Sequence, residues 1–137
     1  CIQDLPVVAG AGDALQRLSL HTQIVILTNI PHSARDARRV GLSRHGIDYP
    51  IVTNVGGKGH AVRDLARRVD APAIFVDDLP EHHQSVALHA ADVHRIHFID
   101  DPRLEKLVGP ADHSHFRTET WVEVERVIHS ILDIRAA

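Results

Sequence analysis

The sequence predicts an α/β fold, doubly wound around a mostly parallel sheet with helices on both faces, and three observations lead there. Short apolar stretches rich in β-branched residues alternate with helical patterns along the 137 residues. The helical segments between them are of a length that suits right-handed crossovers joining parallel strands. No internal repeat and no linker rich in Gly, Ser or Pro interrupts the alternation, so a single domain over residues 1–137 is expected.

Each element has its own justification. Residues 12–20 place Ala14, Leu15 and Leu18 at helical spacing, and QIVILTNI (23–30) reads as a buried strand. A helix is expected from Ser33, a residue type that caps helix starts, to about Arg44, with Gly46 ending it. YPIVTNV is a short strand. GGKGHAVRDLARRVD opens with glycines and continues as an amphipathic helix with Val62, Leu65, Ala66 and Val69 on one face. PAIFVDD is the next strand, and PEHHQSVALHAA, with proline near a first turn, the next helix. HRIHFID is a further strand with Ile96 and Phe98 on one side, and DPRLEKLVG is a short helix at most. The last helix, about Thr118 to Ile134, carries Trp121, Val124, Val127, Ile128, Ile131 and Leu132 on a core-facing stripe.

Composition excludes several function classes. Hydrophobic residues at 44% and charged residues at 24% are ordinary for a globular chain and unlike a disordered one. The longest apolar runs, IVIL and AIFV, are too short to cross a bilayer, so no membrane partner is expected. A formal charge of -3 argues against a broad nucleic-acid surface, although Arg35, Arg38 and Arg39 make a local basic cluster. Cys1 is the only cysteine, so no intramolecular disulfide can form and a cytoplasmic location is expected. The chain contains no methionine, and its natural form is expected to carry further residues before Cys1.

In a doubly wound sheet, ligands bind beyond the carboxyl ends of the strands. Three places there carry chemistry. Thr28 and Asn29 end one strand, Lys58 opens a helix, and Asp77 and Asp78 end another strand. A hydroxyl, an ammonium and two carboxylates together suit a phosphoryl group, with the carboxylates holding a Mg²⁺ ion that offsets its charge. Two adjacent carboxylates repel each other, so the pair needs either such a cation or a role as a solvated cap for the next helix.

The ordered series of ILTN, the lysine of GGKG and the acids of IFVDD resembles motifs two, three and four of the haloacid dehalogenase (HAD) superfamily. The upstream PVVAGAGDALQRLS is similar to the segment P-x-x-G-x-x-x-x-L-x-x-L that precedes motif two in many of its phosphatases. The resemblance covers about residues 5–90. It implies a Rossmann-like fold and a Mg²⁺-dependent phosphatase that acts on a small phosphorylated substrate through an aspartyl-phosphate. It further implies that Thr28 binds the phosphoryl group with Asn29 beside it, that Lys58 steadies phosphate and nucleophile, and that Asp77 and Asp78 hold the metal.

The family's first motif, an apolar strand ending in D-x-D, has no match. Asp4 has just three residues before it and Pro6 after it, and cannot end such a strand. That strand normally lies in the middle of the family's sheet, where its absence would deprive its neighbours of a ladder partner. The nucleophile is therefore expected upstream of Cys1.

Two other readings stay open. One is a non-catalytic module of the same fold that binds phosphate or metal without turnover. The other is a receiver-like signalling domain, which would place its acids first and its lysine last, the reverse of the order here. The twelve histidines are expected to lie mostly at the surface, since no spacing among them matches a closed zinc site. Trp121 is expected in the core. Oligomeric state has no signature in the sequence.

Overall fold

The structure, a computed structural model, describes residues 10–134 apart from the side chain of Glu105. Asp4 and the start of the PVVAG segment lie outside the described residues. The chain divides into two compact units that meet in sequence at Gly56 and Gly57.

The first unit holds helix α1 (Ala11–Leu18), strand β1 (Ile26–Thr28), a 3-10 turn (His32–Ala34), helix α2 (Arg35–Ser43) and strand β2 (Ile51–Thr53). β1 and β2 run parallel, with Ile26 opposite Ile51 and Thr28 opposite Thr53. Ala11, Ala14, Leu18, Ile30, Leu42, Ile47 and Ile51 are its buried apolar residues. β1 is much shorter than the 23–30 run predicts, because Gln23 is exposed and Val25 is 39% exposed. Ser33 does not cap α2. It lies inside the 3-10 turn, and Ala34 takes the cap position without a side-chain bond. Gly46 follows the helix at φ 75, the left-handed conformation that glycine adopts at least cost.

The second unit holds α3 (Gly59–Ala66), β3 (Ile74–Asp77), α4 (Pro80–His89), β4 (His94–Phe98), α5 (Pro102–Val108), β5 (Phe116–Thr118) and α6 (Trp121–Leu132). Its sheet has the order β3-β4-β5, parallel throughout, with Asp77 opposite His97 and Phe98 opposite Thr118. Phe75, Val86, Ile96, Phe98, Ile99, Val124 and Ile128 are buried. From Arg95 to Phe98, β4 is buried on both of its faces, as befits a central parallel strand. α6 starts where Thr120 accepts a hydrogen bond from the Glu123 N–H at 3.2 Å. Trp121 is half-buried, edge-on to Phe98 at 5.1 Å.

The α/β class and the parallel pairing agree with the alternation in the sequence. The strands stand in two small sheets, since no ladder among the described residues joins β1 or β2 to the other three. β5 has no counterpart in the sequence reading, and Val69 departs from its expected helix face, lying beyond the end of α3 at 42% exposure. No helix among the described residues is long and apolar enough to cross a membrane.

Candidate functional site

The chemistry-bearing residues of the second unit gather at the carboxyl end of β3. Lys58 is the cap residue of α3, and its Nζ donates to Asp77 Oδ2 at 2.6 Å. Both side chains are almost out of solvent, at 12% and 6% exposure, so this is a buried ion pair. Asp77 Oδ1 accepts the Leu79 N–H at 2.9 Å, an Asx turn that leads the chain into Pro80 and α4. Burial alone would raise the Asp77 pKa. The Lys58 charge and the Leu79 and Lys58 hydrogen bonds outweigh it and hold this carboxyl below the usual range.

Asp78 behaves in the opposite way. The residue reaches solvent, yet its carboxyl is partly shielded and lies against that of Asp77. Burial first, then the charge and the hydrogen bond of Asp77, push its pKa up to about 6. One acid thus stays charged across the ordinary pH range while its neighbour titrates near neutrality. Neither acid serves as the side-chain cap of α4, because Leu79 holds the cap position and makes no such bond.

Ser85, which the sequence reading did not single out, and two of the histidines it expected mostly at the surface build this corner. Ser85 on α4 accepts the Gly59 N–H at 2.9 Å, and a Cβ on Gly57 or Gly59 would come within 2.5 or 2.1 Å of Ser85 atoms. Two glycines therefore let the start of α3 lie directly on α4, and this contact delivers Lys58 to Asp77. His83 on α4 and His97 on β4 are fully buried, and their Nε2 atoms lie 2.9 Å from the Asp77 carbonyl oxygen and 2.8 Å from that of Asp78.

With His82 at 9% exposure, these three are buried exceptions among histidines expected mostly at the surface. A signal existed for His83, which shares a helical face with Val86 and Ala90. For His97 none did, because alternation along HRIHF cannot reveal a strand covered on both faces.

Thr28 and Asn29 belong to the first unit. Thr28 is buried at the end of β1, and the Asn54 N–H donates to its carbonyl at 2.9 Å. Asn29 donates through Nδ2 to the Gly56 carbonyl at 2.8 Å and accepts from Asn54 Nδ2 at 3.0 Å, so its side chain ties together the loops that follow β1 and β2.

Mg²⁺ takes hard oxygen ligands, commonly one or two carboxylates completed by water and substrate oxygens. Asp77 and Asp78 supply oxygens of that kind, although each Asp77 oxygen already accepts one hydrogen bond. No group of three or more His, Cys, Asp or Glu among the described residues is arranged to hold a metal ion. The donors fit Mg²⁺ as a partial, two-carboxylate set and do not make a closed cage. Compared with protein-family models, curated proteins and solved structures, the chain matches none.

Proposed function

We propose that the chain is the greater part of a HAD-like phosphatase core, one that hydrolyses a small phosphorylated substrate with Mg²⁺ through an aspartyl-phosphate. The observation that carries this reading is the buried Lys58–Asp77 pair at 2.6 Å beside Asp78, at the carboxyl end of a parallel strand. An ammonium next to two carboxylates gives the balance of charge that a phosphoryl group and a divalent ion require together. In the proposed roles Asp77 and Asp78 hold Mg²⁺, Lys58 balances the charge of phosphate and nucleophile, and Thr28 donates its hydroxyl to phosphoryl oxygens, with Asn29 supporting the same loop. Bound Mg²⁺ would supply neutralisation of the charge on the phosphoryl oxygens.

The attacking aspartate is not among the 137 residues, which contain no D-x-D. The test is phosphate release from a generic aryl phosphate by a protein that carries the D-x-D strand. Turnover that needs Mg²⁺ and disappears in Asp77→Asn is the expected result, and turnover indifferent to that change removes the metal assignment. A second reading, a binding module without turnover, is favoured by the incomplete set of ligands. It expects saturable Mg²⁺ or phosphate binding and no hydrolysis by the same protein.

A further inference from the structure

Two adjacent carboxylates at the end of a strand would turn away from each other into solvent unless their backbone were held. Here it is held twice. His83 Nε2 lies 2.9 Å from the carbonyl oxygen of Asp77, and His97 Nε2 lies 2.8 Å from that of Asp78. A carbonyl oxygen only accepts, so each Nε2 carries a hydrogen and donates it. His83 Nδ1 is buried with no partner among the described residues, a site where a lone pair costs less than a stranded N–H.

The rings have little freedom to leave. His83 sits edge-on between Phe75, at 5.3 Å and 70°, and His97, at 5.4 Å and 74°. His97 is also the ladder partner of Asp77, which fixes its height against the end of β3. One anchor thus comes from a helix and the other from the neighbouring strand, and they grip consecutive peptide groups.

We propose that His83 and His97 are positioning residues of the acidic turn: each anchors one of its two carbonyls, and together they hold the Asp77 and Asp78 carboxylates side by side as a preformed seat for a divalent cation. The cation depends on the function proposed above, whereas the anchoring does not. Neither imidazole touches the cation or the substrate. Their contribution is to remove the backbone freedom that the acids would otherwise lose on binding.

The experiment compares the wild-type chain with His97→Phe, His97→Gln, His83→Phe and His83→Gln, since glutamine retains a side-chain N–H donor and phenylalanine does not. Mn²⁺ serves as the probe, its affinity read by electron paramagnetic resonance, alongside carboxyl NMR titration of Asp78 and melting temperature. In the phenylalanine variants Mn²⁺ affinity is expected to fall about tenfold or more, the usual effect of losing an outer partner of a metal ligand. The Asp78 midpoint should move from about 6 toward the ordinary carboxylate range, and the glutamine variants should recover most of both properties.

Folded phenylalanine variants that bind and titrate like wild type would overturn the proposal. So would glutamine variants that fail as phenylalanine does while melting at the wild-type temperature. Should the phenylalanine variants not fold, ring-nitrogen NMR of the wild type decides: hydrogen on Nε2 of both histidines supports the anchoring, and an Nε2 without hydrogen in either overturns it. A wild type that does not bind Mn²⁺ overturns the cation seat and the metal assignment together, and leaves the anchoring to be judged by the carboxyl titration and the ring nitrogens.

Discussion

Lys58 and Asp77 are so nearly removed from solvent that each is the other's main compensation for lost hydration. Lys58→Met would leave a buried carboxylate without its cation, a change that typically costs about 3–5 kcal/mol. We expect chemical denaturation to report a loss of that order, and the Asp77 titration to move up. Asp78 follows a different pH rule. Its pKa of about 6 in the folded chain lies above the value of about 3.9 for an unfolded aspartate, so the native state binds the extra proton.

Stability from this group is therefore fully present below about pH 4 and declines as pH rises to about 6. Asp77, with its lowered pKa, contributes in the opposite sense and loses its contribution in acid. A cation needs Asp78 ionised, so apparent Mg²⁺ affinity should weaken as pH falls through about 6. Calorimetric titration at several pH values checks this, and flat affinity from pH 5 to 8 would exclude Asp78 as a ligand. In Asp77→Asn the charge that raises Asp78 is gone, and its midpoint should drop.

The junction of α3 with α4 depends on the absence of side-chain atoms. A Cβ at Gly59 would stand 2.1 Å from the backbone carbonyl oxygen of Ser85, and backbone cannot swing aside as a flexible side chain can. Gly59→Ala should part the two helices at a cost of about 1–3 kcal/mol, the range for overpacking a tight contact. Ser85→Ala removes only a hydrogen bond to the Gly59 N–H and should cost about 1 kcal/mol. A Gly59→Ala variant as stable as wild type would mean that the contact can relax freely.

Helix spacing in the sequence marks α1, α3 and α6 to within a few residues, because each carries a repeating apolar face, whereas α4 was marked by the proline in its first turn. The glycines before α3 were visible, but their need for close approach was not, since Ser85 lies 26 residues further on. β5 escaped notice for another reason. In FRT only Thr118 is buried, so no alternating pattern marks it, and it is ordered by its ladder to β4. The acids at the end of β3 were legible as a site, whereas the histidines behind them resembled surface residues until the tertiary fold closed over them.

Every group in the corner built around Asp77 lies between Gly57 and Ile134: Lys58, both acids, Ser85, His83 and His97. That unit has a three-stranded parallel sheet of its own, with β4 central and its residues Arg95 to Phe98 buried. Among the described residues the first unit has the two-stranded pair of β1 and β2, which is below what usually stands alone. If stability and function divide as the ladders do, residues 57–137 produced alone should fold cooperatively, with the Lys58–Asp77 pair and the raised Asp78 titration intact. The measurement is a two-dimensional amide NMR spectrum followed by the same carboxyl titration. A dispersed spectrum with an Asp78 midpoint near 6 places the electrostatics of the acid pair wholly within this unit. A collapsed spectrum would mean that residues 1–56 complete its core, and the separation into two sheets would then describe hydrogen bonding without describing stability.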